Sequence, residues 1–246
     1  MHTIFQKKKL TEPALFCPSD TTKPIKNFPE ICVSTFSQNI IEIFASLDDT
    51  EKIAELYTAN GAVPVYKIRY KNTDIAFYLS RVGAPACVSG FEEVVAMGAG
   101  KFVLFGSCGV LDDEKTKGKI IIPVSAVRDE GTSYHYMAPS SEIAADPHSV
   151  QTLETVLTAC GCPYVKGKTW TSDAIYRETL PMIEERRQEG CLAVEMECAY
   201  MLAVSKYRQI PFAQFLYGAD SLSSDTWEIR DLTLYGLTDA EKYMVL

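Results

Sequence analysis

Along almost its whole length the chain alternates short apolar runs with segments whose apolar residues recur every three or four positions, which restricts it to an α/β architecture. Ile31–Val33 reads as a first buried strand, and Ser37 is placed to cap a helix carrying Ile40, Ile41, Ile43 and Phe44. Val65–Tyr70 and Ile75–Leu79 flank the polar turn Lys71-Asn72-Thr73-Asp74, the pattern of a hairpin. Val88, Phe91, Val94, Val95 and Gly98 then trace one helix face before a strand at Lys101–Phe105. After a strand at Lys119–Ile122, Asp146-Pro147 opens a helix with Val150, Leu153, Val156, Leu157 and Cys160 on one side, and Gly161 ends it. Strands at Tyr164–Lys168 and Phe212–Tyr217 bracket a helix marked by Met196, Ala199, Tyr200, Ala203, Val204 and Tyr207. The order predicts a three-layer α/β/α fold with helices on both faces of a central sheet and ligand groups where strands end and loops begin.

Size and charge narrow the partners. A chain of 246 residues, 47% of them hydrophobic, is long enough to bury one large core, and residues 31–246 are expected to form one domain. Residues 11–30 hold four prolines among polar residues, so residues 1–30 read as an extended arm laid over that domain. A formal charge of -8 offers no broad positive field for a nucleic-acid backbone or an anionic membrane, and the expected partners are small molecules. Lys7, Lys8 and Lys9 are followed by no apolar run of signal-peptide type, which points to the cytoplasm. Eight cysteines set mostly in apolar segments fit reduced core residues, and with only three histidines no metal site is expected, Cys160-Gly161-Cys162 being read as a helix end. Thr238–Glu241 has capping-box spacing for a short final helix.

Three segments carry candidate chemistry. Gly106-Ser107-Cys108-Gly109 follows directly on a strand, either as a small-residue turn whose N–H groups and hydroxyl meet an anion or sugar, or as a turn made of glycine for steric reasons. Glu195-Met196-Glu197 sits where an apolar run meets a helix. The helix dipole accounts for one acid there, by ~0.3–1 kcal/mol; two acids flanking a thioether also suit a pocket that grips vicinal hydroxyls against an apolar wall. Asp220 closes the apolar stretch Phe212–Ala219, as a partly desolvated acid or as a turn aspartate.

Taken in order, Val103–Val110, Ala126–Tyr136, Thr171–Tyr176, Val194–Glu197 and Asp220 resemble the nucleoside phosphorylase and nucleosidase family, which includes purine nucleoside phosphorylase, uridine phosphorylase and methylthioadenosine nucleosidase. The resemblance runs from about Ile31 to Asp220 and implies a phosphorylase-like fold with a mixed central sheet. It implies further that Glu197 binds the ribose hydroxyls, Met196 forms the apolar ribose wall, and Glu195 belongs to the same ribose site. Ile175, with Tyr176 beside it, falls where an aromatic residue packs on the base, and Asp220 matches the aspartate that protonates a purine at N7. The glutamine and arginine with which uridine phosphorylases read uracil have no counterpart in Arg177-Glu178-Thr179-Leu180.

The implied activity is cleavage of an N-glycosidic bond, of a purine ribonucleoside, with inorganic phosphate as co-substrate and no cofactor. The chain departs from the family at the phosphate: Asn39 and Leu104 stand where two phosphate arginines are expected, and Ser107 with Gly106 remains. Two lost charge-assisted bonds weaken phosphate by ~3–6 kcal/mol unless another cation replaces them, and Arg81, in the loop after a strand, reads either as that cation or as a solvated loop arginine. Water as nucleophile, or a nucleoside-binding or storage protein without catalysis, stands as an alternative. The family also implies a homo-oligomer, a dimer or hexamer in which a neighbour completes each site.

Overall fold

The structure, a computed structural model, describes residue 10 and residues 12–234; Lys7–Lys9 and the Thr238–Glu241 motif lie outside the described residues. Strand β1 (Ile31–Thr35) is followed by helix α2 (Gln38–Ala45), after a single helical turn α1 (Pro18–Thr21) in the arm. Ser37 caps α2 as expected, its hydroxyl accepting from the Ile40 N–H at 3.5 Å. Strands β2 (Glu51–Thr58), β3 (Gly61–Tyr70) and β4 (Thr73–Leu79) form an antiparallel meander. Lys71 and Asn72 both take positive φ, 45° and 67°, the two-residue turn whose twist matches a hairpin. Between β2 and β3 the chain turns at Gly61, and β4 returns parallel to β1.

Helix α3 (Ala84–Met97) leads into β5 (Lys101–Val110), which pairs in parallel with β1. The reading of 106–109 as a turn is corrected here: the strand runs straight through Gly106–Gly109 and pairs with two further strands. Its glycines serve close packing. A Cβ on Gly106 would lie 2.7 Å from the Phe36 ring, and one on Gly109 would lie 2.6 Å from Leu222 and 3.0 Å from Val194.

The second half contains α4 (Asp113–Thr116), β6 (Ile120–Asp129), β7 (Glu142–Ala144), α5 (Pro147–Ala159), β8 (Tyr164–Ser172), α6 (Leu180–Gln188), β9 (Cys191–Glu195), α7 (Cys198–Arg208) and β10 (Phe212–Ser221). The ten strands among the described residues join one mixed sheet, as expected, with helices on both of its faces. The sheet also closes on itself. β5 pairs with β10, β10 with β6, β6 with β8, β8 with β9, and β9 back with β5, a five-stranded ring from which β1, β4, β3 and β2 extend as an open wing.

One core lies on the face covered by α3 and α7, where Phe91, Val94, Tyr200, Met201 and Val204 meet Cys32, Tyr78, Phe102 and Leu104. Residues 198–205 of α7 are all buried, so this helix shows solvent only near its end. A second core holds Ile40 of α2 and Leu157 of α5 against Phe105 and Phe215, whose rings stack with centroids 5.1 Å apart. A third sits under α6, with Ile183 on Trp170 and Val194. The arm packs Ile25 and Phe28 on the first core, and the Ile25 N–H donates to the Met97 carbonyl at 2.9 Å. Cys160 ends α5 and Gly161 follows with φ 68°, as its sequence suggests. No helix among the described residues is long and apolar enough to cross a membrane.

Gly167 marks where the ring is tightest, because a Cβ there would enter the Leu192 side chain. Gly167→Ala is therefore expected to destabilise the protein by ~1–3 kcal/mol through overpacking. A urea midpoint equal to wild type would show that Leu192 yields without cost.

Candidate active site

Thr35 is the register partner of Leu79 and of Phe105, so β1 and β4 end together beside the middle of β5, and the groups singled out from sequence gather at this end of the sheet and around the adjoining rim of the ring. Strand β9 is buried at all five residues and ends on Glu195, which is 5% exposed. One oxygen of Glu195 accepts from the hydroxyls of Thr171 at 2.6 Å and Thr169 at 3.4 Å; the other accepts from the N–H groups of Glu197 and Cys198, both at 2.6 Å. A carboxylate has about four acceptor positions, and all are used. Through these donors Glu195 orients the start of α7. Thr171 completes the joint by accepting from the Ala199 N–H at 2.9 Å.

Glu197 sits at the N-cap position of α7, also 5% exposed. The Gly83 N–H donates to its Oε1 at 2.9 Å, and the Met196 N–H to its Oε2 at 3.3 Å, which leaves acceptor positions open. Gly83 is the N-cap of α3, with φ 91°, so the starts of two helices meet at this glutamate. Burial first, and then the charge of Glu195, raises the Glu197 carboxyl to about 8. Burial raises Glu195 too, but its four donors favour the charged form, so the pair carries its negative charge on Glu195 and its proton on Glu197.

Asp220 lies on β10 opposite Gly109, half-buried, and burial raises its carboxyl above the usual range. Its Oδ2 accepts from the Trp227 indole N–H at 2.7 Å. Trp227 belongs to a segment fastened at both sides: Ser221 and Glu228 exchange backbone bonds at 2.9 Å, and Arg230 makes a bidentate pair with Asp113 at 2.6 and 2.8 Å. That pair, with the Ser221 and Ser223 hydroxyls, holds Asp113 down at about 2.

The remaining sequence candidates are spread around these acids. Ile175 and Tyr176 form a 3-10 turn just past β8 and are 52% and 95% exposed. Ser107 presents its side chain to solvent while Gly106 is buried beneath Phe36. The Arg81 guanidinium donates to the Gly61 carbonyl at 2.8 Å, turned along the wing toward the β2–β3 loop. Leu104 is wholly buried in the first core and Asn39 is half-buried in α2. Near them the Thr35 hydroxyl is buried with no hydrogen-bond partner among the described residues. Sequence reasoning missed Gly83, Thr169, Thr171 and Trp227. Only Thr171 lies in a segment that the sequence singles out.

A model of the phosphorylase superfamily matches residues 30–235. The chain is 24% identical over 159 residues to a guanosine phosphorylase of Halorubrum lacusprofundi, covering 65% of this chain and 64% of that protein. It is 32% identical over 108 residues to a uridine phosphorylase of Thermococcus kodakarensis, covering 44% of this chain and 39% of that protein. The matched stretch thus spans less than two thirds of either relative. Among solved structures, purine nucleoside phosphorylase from Toxoplasma gondii in complex with immucillin-H superposes with a TM-score of 0.68 at 20% identity, covering 83% of this chain and 79% of that one.

The proton on Glu197 gives stability a definite pH dependence. The folded group holds its proton to about 8, whereas the unfolded one releases it near 4.5. Unfolding between those values releases a proton, so rising pH favours unfolding across that window, by at most about 1.4 kcal/mol per pH unit, and the effect levels off above it. Glu197→Gln removes this contribution. Urea titrations at pH 5, 6, 7 and 8 should show wild type losing stability relative to the variant as pH rises; parallel curves would place the proton elsewhere.

Proposed function

The chain belongs to the phosphorylase superfamily, and from that membership we propose that it cleaves the N-glycosidic bond of a purine ribonucleoside with inorganic phosphate. The observation that carries the reading is Glu197: a buried carboxyl at the meeting of two helix starts, beside Met196, with acceptor positions still open and, among the described residues, no cation bonded to it. A buried carboxyl with unused hydrogen-bonding positions is costly, and the vicinal hydroxyls of a ribose, which both donate and accept, fill them.

In the reaction, Glu197 fixes the sugar hydroxyls and Met196 lines the ring. Asp220, steadied through Oδ2 by Trp227, gives a proton from its other oxygen to the base as the C1′–N bond breaks and its electron pair leaves with the base. Phosphate oxygen forms the new bond at C1′. The Ser107 hydroxyl and the backbone at Gly106 meet the anion, and Arg81 supplies charge by exchanging the Gly61 carbonyl for phosphate. Ile175 and Tyr176, exposed beyond β8, cover the base. The working form is a cytoplasmic homo-oligomer, without cofactor, in which a neighbour shields this open side. Water is the alternative nucleophile, favoured by the replacement of two phosphate arginines by Asn39 and Leu104.

Release of free base from inosine, guanosine, adenosine and uridine, with and without phosphate, tests this directly. Purine ribonucleosides should react faster than uridine and only with phosphate, yielding ribose 1-phosphate. Free ribose formed at a phosphate-independent rate would replace phosphorolysis by hydrolysis, and a preference for uridine would remove the role given to Asp220.

Glu197→Ala should separate binding from folding. A carboxylate receiving sugar hydroxyls contributes ~1.5–3 kcal/mol to binding, so ribonucleoside affinity should fall at least tenfold while the fold persists. Unchanged affinity by calorimetry, together with a collapsed melting temperature, would make Glu197 a structural residue.

A further inference from the structure

Asp113 receives more donors than its own helix can account for. The first turn of α4 is already capped by Asp112, whose carboxylate accepts from the Lys115 N–H at 3.2 Å. The donors on Asp113 come instead from a segment 108 to 117 positions further along the chain: the hydroxyls of Ser221 at 3.0 Å and Ser223 at 2.6 Å, and the two Nη groups of Arg230 at 2.8 and 2.6 Å. Arg230 is held at φ 41°, in the left-handed region, which a residue other than glycine keeps only where its contacts over-determine it. Its Nε and Nη2 also donate to Glu228 at 3.2 and 3.0 Å, and Glu228 exchanges backbone bonds with Ser221 at 2.9 Å. Residues 221–230 thus form a loop with both ends fastened at Asp113, and Trp227 stands on it with its indole N–H on Asp220.

The indole nitrogen can only donate, so it uses Oδ2 of Asp220 as an acceptor and leaves the carboxyl proton to the other oxygen. Burial raises Asp220, whereas the indole N–H and the charge of Arg230 hold it down. Glu178, in the turn before α6, faces it as a second acid, which burial and the Asp220 charge raise to about 7, and Cys108 on β5 faces it as a buried neutral thiol. We infer that Asp113 is a positioning residue for the reaction: by clasping Ser221, Ser223 and Arg230 it keeps the Trp227 indole on Oδ2 of Asp220, so that the proton stands on the oxygen that meets the base. The inference deepens the reading of Asp220 as the acid and rests on it. Without the clasp the carboxyl is free to turn, loses its donor and keeps its proton to higher pH.

Tryptophan emission and steady-state kinetics of Asp113→Ala, Ser223→Ala and Arg230→Lys test it, with Trp227→Phe supplying the signal of the buried Trp170 for subtraction. In the ligand-free wild type the Trp227 emission should follow the ionisation of Asp220 as pH rises, in a step that Asp220→Asn removes. Asp113→Ala should shift the emission to the red and lose the step. Its kcat for a purine ribonucleoside should fall at least tenfold with KM changed less than threefold, and the alkaline fall of kcat should move to higher pH. Ser223→Ala and Arg230→Lys each leave part of the clasp and should lie between wild type and Asp113→Ala; they carry the test where the alanine variant does not fold. Emission and pH profiles equal to wild type in the folded variants overturn the inference. So does a loss of kcat with the Trp227 step intact, because Asp113 then acts by another route. The expected emission changes in a protein that releases no base keep the clasp on Asp220 while proton donation to a base fails, so the two readings are judged by separate measurements.

Discussion

Glu195 ends a strand that is buried at every residue, so its charge has to be met from within, and the donors that meet it come from two directions at once. Thr169 and Thr171 reach it from β8, and the N–H groups of Glu197 and Cys198 reach it from the first turn of α7. Those two N–H groups are among the ones a helix start leaves without partners, and the helix dipole adds to the attraction. The angle at which α7 leaves the sheet is thereby set, and with it the position of Glu197, the contact of Glu197 with Gly83, and the seating of a helix buried along most of its length. Because Glu195 holds the negative charge with every acceptor position filled, the neighbouring carboxyl takes the proton.

The parts of this arrangement written in local patterns are legible in the amino-acid sequence. The faces of α3, α5 and α7, the Ser37 cap and the hairpin at Lys71-Asn72 follow from spacing and turn chemistry, and the three-layer order follows from their alternation. β2 escapes such a reading because it is an edge strand whose charged residues face solvent, and β9 because a strand buried on both sides has no alternation to read. α6 escapes because it buries only Ile183. Gly106–Gly109 misleads for a physical reason: glycine required for a turn and glycine required for two chains to touch look the same in sequence. Glu197 and Asp220 are found through resemblance to a family, whereas the groups that hold them, Gly83 and Trp227, make contacts that no local pattern announces. Glu195 is found through the same resemblance, but the donors that meet it inside the protein are not, since an acid that anchors a helix and an acid that binds a sugar share one signature.

The electrostatic character of the site is lopsided. Acids from β9, β10, the start of α7 and the turn before α6 converge at the rim, while Arg81 and Arg230 are both bonded elsewhere, to a carbonyl on the wing and to Asp113. A neutral ligand rich in hydroxyl and N–H donors is welcome in such a place without rearrangement. An anion is not, and its entry depends on a cation that changes partners or comes from a neighbouring copy.

The closed ring also orders events during synthesis. Cys108 and the Tyr217 carbonyl that it contacts are separated by 109 positions, so the far half of β5 emerges from the ribosome long before its neighbours on either side exist. The wing of β1 to β4, whose contacts are close in sequence, has what it needs to assemble early, whereas closing the ring brings the loop-closure cost of distant pairing. Gly109 has to wait for Val194 and Asp220, and those two strands deliver the acids. The candidate site is thus completed by the same late step that removes the ring's last unpaired strand edge, and a nascent chain brings these acids together only when the ring has no open edge left to aggregate.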